Sequence, residues 1–250
     1  VPGLLTAAGF IPAVILIARR PGMAPAGAPF DLRHAIRRSH TIWPMCALIV
    51  LVIATIYTGA ASPTEAGAVG AAGALLIALL QRSITRSGFM TGLSHTVQTS
   101  VVIIAIVYCS SIFATYLAYT QVTQGFIAYV QASELSPTVV LLIIVAILLV
   151  LGCLLDQLAI LSLTMPLAFP LIKALGYDPV WFGIIVTKTV EIGLLTPPFG
   201  LNVFVTAGRT GVPVNTVFRG LIPFLVIEAS ILALLIAFPD ITLWLPRTMG

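Results

Sequence analysis

Residues 192–202 read IGLLTPPFGLN, a proline pair flanked by threonine and glycines inside an apolar run that begins near Val180. Two adjacent prolines remove two backbone donors and obstruct the turn before them, so a helix entering this run must break at Thr196, Pro197 and Pro198. Unpaired backbone groups are prohibitive in hydrocarbon, and such a break is tolerated only where protein, water or a ligand satisfies it. The carbonyls freed before the prolines can coordinate a hard cation, whereas the amides of the half-helix resuming at Gly200 to Asn202 favour an anion.

A second discontinuity is expected at LGCLLDQ, residues 151–157, where Gly152 permits close approach and Asp156 supplies a carboxylate. Two such openings facing each other would form a site near the bilayer midplane. Each alone also reads as a proline kink or a buried turn closed by structural hydrogen bonds. Lys188 and Glu191 stand three apart on one helix, a spacing that favours an internal ion pair over a proton relay. Glu228, in the last apolar run, is expected against a polar neighbour that the sequence does not name.

The elements that carry these residues must cross a membrane. The 250 residues are 59% hydrophobic and 8% charged, with a net charge of +4. Stretches of roughly 17–25 apolar residues recur along the chain, the helix length that a hydrocarbon core of about 30 Å demands. Period-2 alternation is missing, which excludes a β-barrel. The expected crossings are residues 1–18, 42–59, 66–81 and 98–118, a re-entrant pair at 137–153 and 155–172, a broken span from Val180, and a last span at 220–238.

Basic residues lie in the short connections, so they report topology rather than nucleic-acid binding. With the re-entrant pair, Arg19, Arg20, Arg33, Arg37, Arg38, Arg82, Arg86, Arg209 and Arg219 share the cytoplasmic side, whereas one full crossing over residues 137–172 would turn Arg209 and Arg219 outward; the charge bias favours the first. Lys173 and Arg247 then face outward, as does the loop TQVTQGFIAYVQASELSP with Glu134. FDLRHAIRRSH, carrying His34 and His40, and residues 83–97 read as amphipathic interfacial helices whose histidines are not ligands. Trp244 is placed like an interface anchor.

Local signals add detail. Ser62, Pro63 and Glu65 spell a capping box, and Gly67, Gly70 and Gly73 suit close helix packing. Cys46, Cys109 and Cys153 lack paired spacing and read as small core residues. The chain opens at Val1 without methionine or a signal-peptide pattern, as if cut from something longer. Phosphate-loop, HExxH, GxSxG and CxxCH motifs are missing, so neither ATP hydrolysis nor hydrolytic enzyme chemistry is expected. An ion-gradient transporter needs none of them.

In their order and spacing VPGLL, ASPTEAGAVGA, LGCLLDQLAILSLTMPLAFPLIKALGYDPVWFGII, EIGLLTPPFGLNVFV and FPDITLWLP cover essentially the whole chain. With these motifs the chain resembles the C-terminal part of the large membrane subunit of tripartite ATP-independent periplasmic (TRAP) transporters. The resemblance implies an all-α integral membrane protein of the bacterial inner membrane. Its fold would be the second half of an inverted-repeat elevator-type transporter, with a re-entrant helical hairpin and a broken transmembrane helix. Residues 1–135 would hold scaffold helices and interfacial arms, 136–212 the transport-domain hairpin and broken helix, and 213–250 an arm and the final span.

Function follows from the same likeness: sodium-coupled uptake of small organic acids such as C4-dicarboxylates or sialic acid, with no cofactor beyond Na+ as coupling ion. The implied partners are a periplasmic substrate-binding protein, a small four-helix membrane subunit, the carboxylate substrate and the bilayer. Carried onto matching positions, the resemblance assigns sodium to Gly152, Gly193, Thr196 and Phe199, the glycines and Phe199 through main-chain oxygen. Asp156, Pro197, Pro198 and Asn202 would border the substrate. The first repeat's hairpin and break are missing from this chain, so half of the expected transport domain is too. Phe199 also stands where a smaller residue is common. The competing reading is a truncated or non-transporting scaffold that docks partner subunits.

Overall fold

A computed structural model describes residues 2–19, 42–198 and 200–248; FDLRHAIRRSH with His34 and His40, and Phe199, lie outside the described residues. Among the described residues every regular element is a helix. Two compact units form, Val1–Ala24 with Val101–Gly250, and Pro25–Ser100.

The smaller unit holds α2 (Trp43–Tyr57) and α3 (Pro63–Leu80), packed on each other. α3 starts where the sequence directs it: Ser62 Oγ accepts from Glu65 N at 3.3 Å, and Glu65 Oε2 accepts from Ser62 N at 2.8 Å. Two of the three small residues carry the packing. A Cβ at Gly73 would meet Leu48 Cδ1 at 2.6 Å and one at Gly70 would meet Val52 Cγ2 at 3.1 Å, whereas Gly67 faces open space. Cys46 and Cys109 are exposed and only Cys153 is buried, so two of the three cysteines are not core residues.

α4 (Arg86–Thr120) is one continuous helix, joining the interfacial and crossing segments that the sequence reading separates. No proline interrupts the stretch, and Gly88 and Gly92 weaken a helix without ending it. At 1.5 Å per residue its 35 residues reach about 52 Å, well beyond a hydrocarbon core. The helix stops where Gln121 takes a left-handed conformation at φ 57°.

Much of TQVTQGFIAYVQASELSP is not a loop. Val122–Ala132 forms α5, which buries Thr123 and Val130 and packs on α7 (Gln157–Ala174). Ile127 and Val130, three apart, turn the same face of α5 inward beside Thr123, a short apolar pattern masked by the polar residues around it.

In the larger unit, α1 (Pro2–Ala18) packs along α10 (Val214–Ala237), with Phe10 and Phe224 edge to face at 5.1 Å. α6 (Pro137–Leu154) and α7 form a helical hairpin joined through Leu155 and Asp156. α8 (Pro179–Leu195) is the central post. It packs against α6, α7, α9 (Leu201–Thr210), α10 and α11 (Asp240–Arg247), and Trp181, Phe182, Ile185, Val186 and Val190 are all at most 1% exposed. Trp181 Nε1 donates to Leu235 O at 2.8 Å, so the largest buried ring has its polar atom satisfied.

Five helices, α3, α4, α6, α7 and α10, are long and apolar enough to cross a membrane, and α1 and α2 are shorter apolar helices. Val101, Val102, Ile104, Tyr108 and Ile112 of α4 are all more than half exposed, an apolar surface far beyond what water tolerates.

Candidate functional site

Asp178 starts α8 by accepting from Val180 N at 2.8 Å and Trp181 N at 3.1 Å. The prolines end it: α8 stops at Leu195, Thr196 turns to an extended conformation, and α9 restarts only after Gly200. Residues 192–202 are therefore a broken rod, as the sequence requires. Gly200 adopts φ +44°, and a Cβ there would press on the Phe218 ring at 3.0 Å. A glycine fits both the conformation and the space.

The hairpin turn and this break meet. A Cβ at Gly152 would fall 2.8 Å from Gly193 Cα, and one at Gly193 would fall 2.6 Å from Gly152 Cα and 2.9 Å from Leu149 O. No side chain fits between α6 and α8 here, and the two main chains touch. The sequence reading expects the two openings to face each other; the fold brings these glycines into contact over a separation of forty-one residues.

Helix ends leave carbonyls without partners, and both helices end at this contact. Among the described residues no amide donates to Gly152 O beyond the end of α6, whose last cap bond runs from Leu155 N to Leu151 O at 2.9 Å. Gly193 O accepts from Thr196 N at 3.0 Å, leaving one lone pair. Thr196 Oγ1 donates to Ile192 O at 2.6 Å, so its own lone pairs stay available. Cys153 Sγ lies 3.3 Å from Leu149 O and 3.7 Å from Pro197 O, tying the turn to the break.

Carbonyl and hydroxyl oxygens are hard donors suited to a small alkali or alkaline-earth cation. Among the described residues no cluster of three His, Cys, Asp or Glu side chains offers a transition-metal site.

The remaining expected residues line the surroundings unequally. Pro197, Pro198 and Asn202 are exposed beside the break. Asp156 is exposed as well and caps α7, accepting from Leu158 N at 3.2 Å. A cavity of about 460 Å³ opens against the proline pair, lined also by Asn215, Phe218, Arg219, Ile222 and Leu225. Asn215 and Arg219 escape the sequence reading. Arg219 reads there only as a topology marker, since nothing local ties it to prolines about twenty residues earlier.

Lys188 and Glu191 form the expected ion pair at 2.8 Å. Glu228 finds its polar neighbour in the same lysine, with Nζ 2.7 Å from Glu228 Oε2. That partner lies on another helix forty residues away, beyond any local pattern.

The model of the family "Tripartite ATP-independent periplasmic transporter, DctM component" matches residues 1–241. The chain is 34% identical over 252 residues to the C4-dicarboxylate TRAP transporter large permease protein DctM of Pseudomonas aeruginosa, covering all of this chain and 58% of that relative. Identity to the sialic acid TRAP transporter large permease protein SiaM of Vibrio cholerae is 36% over 199 residues, 79% of this chain and 47% of the relative. Against the ectoine/5-hydroxyectoine TRAP transporter large permease protein UehC of Ruegeria pomeroyi it is 33% over 209 residues, 82% and 48% respectively. The chain thus spans about half the length of the curated relatives it matches.

Proposed function

Since the chain belongs to the DctM-component family of tripartite ATP-independent periplasmic transporters, an inner-membrane family of permeases, we propose that it supplies one cation seat and part of the substrate path of a sodium-coupled carboxylate importer. One observation carries this reading: Gly152 and Gly193 touch backbone to backbone where two helices end, with Thr196 bonded through its amide to Gly193 O and through its hydroxyl to Ile192 O.

Sodium would be held by the main-chain oxygens of Gly152 and Gly193 and the hydroxyl of Thr196, with Phe199 offering a further main-chain oxygen. The ion replaces the hydrogen bonds that the opened backbone lacks. It also adds to the packing that joins α6 to the end of α8, so sodium favours the arrangement in which the hairpin and the broken helix are closed on each other. That dependence is what coupling requires, because an ion shifts a conformational equilibrium only by its differential affinity for the two states.

The substrate, a small organic acid such as a C4-dicarboxylate or sialic acid, would enter the space bordered by Asp156, Pro197, Pro198 and Asn202. The 460 Å³ cavity, which shares Pro197 and Pro198 with that space but is not lined by Asp156 or Asn202, has the size of a small-molecule site, and Arg219 at its wall can meet a carboxylate through two parallel N–H donors. The anionic substrate and the cation then stabilise each other across the break. A periplasmic binding protein would deliver substrate, and a small four-helix subunit would complete the assembly. Transport would carry the α6–α7 hairpin with α8 and α9 across the bilayer against the remaining helices.

The test is uptake of labelled C4-dicarboxylate or sialic acid into proteoliposomes holding the complete permease, its small subunit and its binding protein, under an inward sodium gradient. Arg219→Gln should raise the half-saturating substrate concentration about 10–100-fold, the loss of one charged hydrogen-bonding group of about 1.5–3 kcal/mol. Uptake indifferent to the sodium gradient contradicts the coupling, and unchanged saturation in Arg219→Gln contradicts the substrate path.

A further inference from the structure

We propose that Ser110 of α4 is a positioning residue that latches the hairpin in this arrangement, through a carbonyl that a proline sets free. α7 carries Pro166 and Pro170 inside the helix. A helical proline has no amide to donate to the carbonyl four residues before it, and its ring pushes that carbonyl aside. Pro166 therefore leaves Ser162 O without its helical donor. The donor comes from another helix instead: Ser110 Oγ donates to Ser162 O across 52 residues of sequence.

The other hydroxyls of α4 show that this bond is not the default. Serine and threonine in a helix commonly bond back to the turn before them. Thr96, Ser111, Thr115 and Thr120 do so, donating to Gly92 O, Val107 O, Ser111 O and Tyr116 O at 2.8–2.9 Å. Ser110 reaches outward, and among the described residues its bond is the one that a side chain of α4 makes to another helix. The packing of α4 on α7 is otherwise slight, and Tyr108, Ser111 and Ile112 beside Ser110 are exposed. Both partners lie within helices long and apolar enough to cross a membrane, where water does not replace a broken hydrogen bond.

This inference rests on the transport reading above, in which the hairpin moves and α4 stays. Ser110 and Ser162 then stand on opposite sides of the moving boundary, and their bond breaks whenever the hairpin leaves. Because the bond exists in one arrangement and not in the other, it biases the equilibrium between them. Ser110 lines neither the proposed sodium seat nor the cavity at Arg219, so its effect on transport runs through the position of α7.

Spin labels at Tyr119→Cys of α4 and Phe169→Cys of α7, both exposed positions, report the separation of the two helices in the purified complete permease by double electron–electron resonance, with Cys46 and Cys109 replaced by alanine. Across sodium-free and sodium-loaded samples the protein should show two separations. Ser110→Ala should raise the ratio of parted to latched molecules about three- to tenfold, the worth of one interhelical hydrogen bond in a bilayer. Pro166→Ala returns an amide donor to Ser162 O, so in that background Ser110→Ala should lose most of its effect. Pro170→Ala is the same change one turn further on and should leave the effect of Ser110→Ala whole. An unchanged ratio in Ser110→Ala, an undiminished effect in the Pro166→Ala background, or a single separation under every condition overturns the proposal. Uptake measured in parallel tells the failures apart: sodium-driven uptake with a fixed separation sinks the latch alone, whereas uptake indifferent to sodium sinks the transport reading.

Discussion

Gly152 and Gly193 are fixed by contact more than by conformation, since each sits in a helix where alanine would be the better helix former. Adding a methyl at Gly152 forces atoms to 2.8 Å from the facing backbone, and no side chain can rotate away. Gly152→Ala should therefore destabilise the complete permease by about 1–3 kcal/mol in thermal unfolding, as overpacked cores do. Gly183→Ala is the control, because a Cβ at Gly183 meets nothing within 4 Å; it should be neutral or stabilising by up to about 1 kcal/mol. Equal effects of the two substitutions would refute the contact. At this scale the break was readable from the sequence, since a proline pair dictates its own neighbourhood. Asn215, Arg219 and the Lys188–Glu228 pair were not, because each acquires its meaning from a residue on another helix.

The start of α3 was legible because Ser62, Pro63 and Glu65 spell its cap within four residues. Asp178 caps α8 by the same rule although the sequence reading does not single it out, and Asp178→Ala should cost about 1 kcal/mol because two amides at the head of α8 lose their acceptor. Asp178→Asn should retain most of that stability in the same thermal-unfolding comparison; an equal loss from both substitutions would show that capping is not the cause. Element ends without a breaker were less readable. α4 runs through a junction placed near residue 98 because polarity changes there while the backbone has no reason to stop. α5 was hidden for the converse reason, its glutamines and threonines disguising a short apolar stripe that pays off only against α7. The hairpin turn shows the two kinds of signal side by side: Asp156 marks the start of α7 locally, yet the contact of Gly152 with Gly193 exists only in three dimensions.

For the whole molecule, composition alone specified a multi-pass helical membrane protein, and the ordered motifs specified the family. The chain spans about half the length of the relatives it matches, so transport is proposed for the complete protein. The central physical claim is that the touching helix ends hold sodium, and it is tested without substrate or partner by following the thermal stability of the purified complete permease as salt is varied. Sodium should raise the melting temperature of the wild-type protein with a saturable dose response that potassium at equal ionic strength does not reproduce. In Thr196→Ala, which removes one oxygen ligand, the half-saturating sodium concentration should rise roughly tenfold, equivalent to about 1.4 kcal/mol. Equal stabilisation by sodium and potassium, or a sodium response in Thr196→Ala that overlays the wild type, would contradict the account.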